Sequence, residues 1–246
     1  MDIAIVTGVS HPKGIGASIC RRLSKNGVDI FFTHWQADKY WPNLFADEIR
    51  DKGVRCKSLE INLGDKQAAD TLINQVVLHL GSPTILVNNA AYSSLDGYQK
   101  LNADILDRHY EVNVRAVCLL SVEFAKQLEG STIRRGRIIN LTSGQAQGPM
   151  LNELAYAASK GAITAFTLTL SAELAHLGIT VNAVNPGPTD TGWMTDEIKG
   201  ELTTKFPMGR VGQPEDAARL VAFLASEEAG WITGQVINSE GGFLRK

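Results

Sequence analysis

Ile3-Ala4-Ile5-Val6-Thr7-Gly8-Val9-Ser10-His11-Pro12-Lys13-Gly14-Ile15-Gly16 is the stretch on which the reading of the whole chain turns. A short apolar run reads as a buried strand, a glycine-rich turn follows it, and residues 16–25 have helical spacing. Glycine is needed where a backbone turns tightly or approaches a pyrophosphate with no side chain between. The N-terminus of the following helix adds unpaired N–H groups and a partial positive charge. A glycine-rich turn alone is often only a turn. Set after a first strand and before a helix, it points to a dinucleotide held by Gly8, Ser10, Gly14, Ile15 and Gly16.

Working outward, the same alternation continues. Strand candidates lie at 3–6, 30–33, 55–61, 85–88, 137–141, 180–184 and 235–238, and helical spacing at 16–25, 66–80, 103–128, 155–176 and 214–225, among others. This predicts one α/β domain over residues 1–246, a Rossmann-type doubly wound parallel sheet of about seven strands with helices on both faces. Ligands of such sheets bind beyond the carboxyl ends of the strands. The residues that carry chemistry here do follow strand candidates.

Composition narrows the function classes. Hydrophobic residues at 44% and charged residues at 20% exclude a disordered chain. A net charge of −2 without a basic stripe predicts no nucleic-acid partner. Cys20, Cys56 and Cys118 lie far apart, which predicts isolated thiols, with neither a metal cluster nor a disulfide framework. With no secretion signal and no long apolar run, the expectation is a cytoplasmic protein without a membrane partner.

The second strand ends Phe32-Thr33-His34-Trp35, with no carboxylate at its tip to bond a ribose diol. Lys13, just before Gly14, is a candidate partner for a 2′-phosphate. Thr33, His34 and Lys13 together favour NADP(H), while the nearby Asp38 keeps NAD open. Ser143 is followed thirteen residues later by Tyr156, and Lys160 stands four beyond it on the same helix face. Reducing a carbonyl creates an alkoxide that must be stabilised and protonated. A tyrosine whose pKa is lowered by a neighbouring ammonium, aided by a serine hydroxyl, can do both.

This constellation, with the glycine loop and Asn88-Asn89-Ala90-Ala91 after the fourth strand, resembles the short-chain dehydrogenase/reductase family over nearly the whole chain. Five residues rather than three separate Gly8 from Gly14, so His11-Pro12 reads as a two-residue insertion; Ala91 replaces a glycine of the family pattern and should narrow the space beside the cofactor. The resemblance implies that Asn62 and Leu63 contact adenine and that Asn89 and Ala90 line the cofactor. It implies that Asn113 holds a water leading to Lys160, and that Lys160 also bonds the nicotinamide ribose. Pro186, Gly187, Thr189 and Thr191 match the segment that touches the nicotinamide amide and the pyrophosphate. Tyr156 and Lys160 then serve both cofactor and catalysis.

Residues 192–208 correspond to the family's mobile substrate lid; Trp193, Met194, Ile198, Leu202 and Phe206 read either as an apolar lining or as packing. Residues 148–154, with Met150 and Leu151, form a candidate opposite wall. The chain looks closest to 3-oxoacyl-[acyl-carrier-protein] reductases, through Gly209–Asp216 in sequence and the tail from Thr233 to Gly242. That implies a small carbonyl or acyl-thioester substrate, one carried by acyl carrier protein included. Arg134 matches a basic docking position, but Leu177 stands where another would be basic, so a broad ketone or alcohol dehydrogenase is the rival. The Tyr156–Lys160 spacing differs from the wider one of related enoyl reductases. From another class, a non-catalytic NADP sensor would have no use for the proton-relay residues. The family habit implies a homotetramer.

Overall fold

Ile3 and Ile5 face one side of the first strand and Ala4 and Val6 the other, and both sides are buried. A strand without a polar face belongs inside a sheet covered by helices on both sides. In the computed structural model, which describes residues 2–244, seven parallel strands form one sheet. They are β1 (Ile3–Val6), β2 (Asp29–His34), β3 (Cys56–Glu60), β4 (Ile85–Asn88), β5 (Gly136–Leu141), β6 (Ile179–Asn185) and β7 (Val236–Asn238). Their order is β3-β2-β1-β4-β5-β6-β7. The chain thus runs outward from β1 to β3, returns to the other side of β1, and runs outward again. The reversal lies between β1 and β4.

Helices α1 (Ile15–Lys25), α2 (Trp41–Arg50) and α8 (Pro214–Ala225) pack on one face, where Ala4, Val6, Ile30, Phe32 and Val87 meet Ile19, Leu23, Phe45 and Val221. On the other face α3 (Ala68–His79), α5 (Ala116–Glu129) and α6 (Leu154–Leu174) enclose Ile5, Phe31, Leu86 and Ile138 with Leu72, Phe124 and Leu170. The period-2 alternation of the inner strands feeds both cores.

The sequence reading differs at several elements. The stretch 103–128 is three pieces: α4 (Ala103–Tyr110), one turn of π-helix (Glu111–Arg115) and α5. The end strands are shorter than expected, β3 losing Arg55 and Ile61 and β7 losing Gln235, although the backbone of each of these still bonds the neighbouring strand. Residues 192–208 contain a short helix, α7 (Asp196–Thr203), started by the Thr195 side chain, which accepts from the Ile198 N–H. Met194 and Phe206 pack with Val211, Ile198, Leu202 and Phe243 in a small third core.

Candidate functional site

Beyond the carboxyl ends of β1 and β4 the two strands are stitched together. The Thr7 hydroxyl accepts from the backbone N–H groups of Asn89 and Ala90, each at 3.0 Å. The Asn89 side-chain amide donates to the carbonyls of Thr7 (2.8 Å) and Gly8 (3.0 Å). Gly8 has φ of 72°, and a Cβ there would lie 2.6 Å from Ala90 Cα. A Cβ on Gly16 would lie 2.7 Å from Asn89 Nδ2. Only glycine permits this approach. The inserted His11-Pro12 is pinned rather than loose: Arg21 donates to the Pro12 carbonyl (2.8 Å) and holds Glu48 of α2 with two further bonds.

A groove of about 540 Å³ opens over this stitch, lined among others by Gly8, Ser10, Gly14, Ile15, Thr33, His34, Asn62, Leu63, Asn89 and Ala90. Trp35 and the exposed Ala91 also line it. His34 is 8% exposed, and its Nδ1 has no partner among the described residues. Burial holds its imidazole below the usual histidine range, against the opposing pull of Glu60. His34 thus lines the groove with a ring whose Nδ1 is buried and unpaired. The glycine cradle and the α1 N-terminus together fit an adenine dinucleotide.

Thr191 and Ile15 also border a second cavity of about 580 Å³, lined by Ser143, Met150, Glu153, Tyr156, Pro186, Gly187, Thr189, Trp193, Leu202, Lys205 and Phe243 among others. Tyr156 and Lys160 sit in the first two turns of α6, whose start is fastened from far away in the chain. The buried Asp96 carboxylate accepts from the N–H groups of Leu154 and Ala155, each at 2.8 Å, and from Gly97. The first two are orphan donors of a helix that has no side-chain cap of its own. Burial acts to raise the Asp96 carboxyl, but its backbone donors outweigh that and hold it below the ordinary aspartate range.

Lys160 is buried and donates from Nζ to the Leu141 carbonyl at 2.8 Å; burial pushes it down to about 8. Its Nζ lies 5.6 Å from the centre of the Tyr156 ring. Tyr156 is pushed up to about 12, first by burial and then by the Glu153 charge, with a hydrogen bond from Ser143 acting the other way. This corrects the expectation that Lys160 lowers the tyrosine: desolvation of a buried phenolate outweighs an ammonium directed at a carbonyl.

Several expected site residues are placed differently from their reading. Lys13 is exposed and is not in the dinucleotide groove; its stem lies beside Gly192, in a polar cavity with Arg21, Asp190 and Lys199. It is therefore not brought together with Thr33 and His34. Ser10 bonds the backbone of Trp35 in both directions at 3.2 Å, so its hydroxyl ties the loop to the end of β2. The Asn113 side chain accepts from the Tyr92 N–H (2.7 Å) and donates to the Tyr92 carbonyl (2.8 Å) and Ser159 (3.0 Å). It fixes the loop after β4 against α6 from within the π-turn. The Thr189 hydroxyl closes its own turn on Pro186 and Gly187, leaving Thr191 at the junction of the two cavities. Asp96, Glu153 and Trp41, whose indole donates to the Val9 carbonyl, were not singled out from sequence. Among the described residues no cluster of His, Cys, Asp or Glu could hold a metal ion, and no helix is long and apolar enough to cross a membrane.

Comparison with known proteins agrees with this geometry. A family model described as Enoyl-(Acyl carrier protein) reductase matches residues 8–244. The chain is 58% identical to the uncharacterized oxidoreductase YjdA of Bacillus subtilis (strain 168), covering 99% of this chain and 97% of the relative. It is 34% identical to the 3-oxoacyl-[acyl-carrier-protein] reductase FabG of Staphylococcus aureus (strain Mu50), covering 97% and 96%. Among solved structures, a mutant short-chain dehydrogenase/reductase from Serratia marcescens is 35% identical with a TM-score of 0.90, covering 98% of this chain and 97% of that one. A blue fluorescent protein from a metagenomic library, solved in complex with NADPH, is 33% identical with a TM-score of 0.90 and the same coverage.

Proposed function

The chain belongs to the short-chain dehydrogenase/reductase family of oxidoreductases, and from that premise we propose that it is an NADPH-dependent carbonyl reductase in which Tyr156 gives up the proton. The observation that carries this reading is the meeting of Ser143 and Tyr156 in one cavity, with Lys160 buried beneath and the dinucleotide groove opening alongside. When bound, the cofactor supplies the hydride. The Ser143 hydroxyl and the Tyr156 phenol then donate hydrogen bonds to the substrate oxygen, and the charge that develops there draws the phenolic proton across. A phenol raised to about 12 holds that proton throughout the neutral range, as a donor must. Lys160, lowered to about 8, is within reach of protonation change and can help restore the tyrosine.

NADP(H) is favoured by the lack of a carboxylate at the tip of β2, which ends in His34, and by the NADPH held by the metagenomic neighbour. The substrate reading is a 3-oxoacyl thioester, as in the reductase of Staphylococcus aureus. Free ketones are the rival, and one observation favours them. Arg134 donates to the carbonyls of Ser131 (2.7 Å) and Ile133 (3.2 Å), and Leu177 offers no charge beside it, a poor platform for an acidic carrier. Residues 192–208 would act as the lid. We also read the protein as a cytoplasmic homotetramer; the exposed Leu168, Phe223 and Trp231 support assembly. The test is oxidation of NADPH, and separately NADH, with acetoacetyl-CoA against a set of simple ketones. Rapid NADPH loss with a carbonyl supports the reading, and a preference for NADH refutes its cofactor half.

A further inference from the structure

Glu153 lines the substrate cavity in a position that the reduction itself does not call for. It is the N-cap residue that precedes α6, three before Tyr156; both side chains line the one cavity, and the Glu153 charge acts on the Tyr156 phenol. Two carboxylates lie at this helix start, and they differ in kind. Asp96 is saturated by backbone donors. The half-buried Glu153 carboxylate has no hydrogen bond or ion pair to any described residue, and only its backbone carbonyl is engaged, by the Ala157 N–H at 2.8 Å. The cavity wall it shares is mixed: Pro149, Met150, Trp193 and Leu202 are apolar, while Ser93 and Thr191 are polar but uncharged. The other charged lining residue is Lys205, which is exposed.

A half-buried carboxylate without a protein partner is only partly hydrated, and a ligand that brings a donor completes its compensation. We propose that Glu153 is a specificity-determining residue, selecting apolar ketones that carry a hydrogen-bond donor, most strongly an ammonium, close to the carbonyl, and rejecting those with a carboxylate there. This rests on the carbonyl-reductase reading and narrows it toward free ketones. Burial, and then the charge of Asp96, raise the Glu153 carboxyl, in keeping with an anion short of compensation.

Three ketones of similar size test the assignment: N-methyl-4-piperidone, 4-methylcyclohexanone and 4-oxocyclohexanecarboxylate. Binding to the enzyme loaded with NADP+ is measured by calorimetry and turnover with NADPH by absorbance. In the natural protein the cation should bind about tenfold more tightly than the neutral ketone, as expected of one charge-assisted bond at a half-exposed position, and the anion more weakly still. Glu153→Gln should bring the cation and the neutral ketone to within about twofold. Equal binding of all three to the natural protein, or an unchanged preference in Glu153→Gln, overturns the proposal. The natural protein alone decides the matter if the variant folds poorly. Turnover without the charge order defeats this inference and spares the reductase reading; the charge order without turnover does the reverse.

Discussion

Replacing Asp96 by alanine tests whether the catalytic helix is positioned from the loop after β4. The substitution removes the acceptor of three backbone N–H groups. Ala155 is buried, so its N–H is left without a partner, at about 1–3 kcal/mol. Leu154 is exposed and water can take its bond, so that loss resembles an ordinary cap deletion of about 1 kcal/mol. The total is about 3 kcal/mol, which for a chain of this length lowers Tm by about 6 °C. Tyr156 lies in the first turn released, and a displacement of about 1 Å there costs up to about 100-fold in rate. NADPH affinity should change little, since Asp96 is not among the groove residues. Scanning calorimetry, steady-state turnover and fluorescence titration with NADPH measure the three quantities. Asp96→Asn, which keeps one acceptor oxygen, should lie between. Because the carboxyl is held below its unfolded value, its contribution is complete above about pH 4 and is lost as pH falls through the lower folded value. Unaltered Tm and turnover in Asp96→Ala, or a loss of NADPH affinity equal to the loss of rate, would refute the reasoning.

Tyr156→Phe should cut turnover at least 1000-fold while NADPH still binds, and Lys160→Ala should harm both; direct titration against activity separates the two. With Tyr156 raised to about 12, ketone reduction should hold level through neutral pH, whereas alcohol oxidation, which needs the phenolate, should climb toward alkaline pH. An oxidation rate that levels off near pH 7 would contradict that placement of the phenol. His34→Asp should move preference toward NADH by tenfold or more, and Lys13→Ala should weaken NADPH binding less, because Lys13 lies outside the groove. The opposite ranking of dissociation constants would restore Lys13 to the 2′-phosphate.

The sheet was legible in the sequence because its inner strands are apolar on both faces and its glycines stand where a Cβ would collide. Ser143, Tyr156 and Lys160 were legible through spacing along one helix and one strand end. Asp96 was not, since it acts on a helix 58 residues further along, and nothing local distinguishes it from a loop aspartate. The direction of Lys13 depends on how the inserted loop is fastened by Arg21, which no motif records. The proton affinity of Tyr156 was misjudged because neighbours can be counted in sequence and desolvation cannot. The π-turn at Asn113 likewise leaves no trace in composition.

The stitch between β1 and β4 also sets an order of events during synthesis. Thr7 and Asn89 are separated by 82 positions, and a parallel pairing of that span forms slowly, after its loop-closure entropy has been met. The glycine loop is already tied to β2 through Thr33 and Trp35 while the first half-sheet alone has emerged, and gains the Asn89 bonds that complete its cradle only when β4 joins. A ligand that recognises the finished loop and not the growing chain stabilises the completed fold by mass action. The concentration of dinucleotide in the surrounding medium thereby enters the yield of folded protein, before any substrate is met.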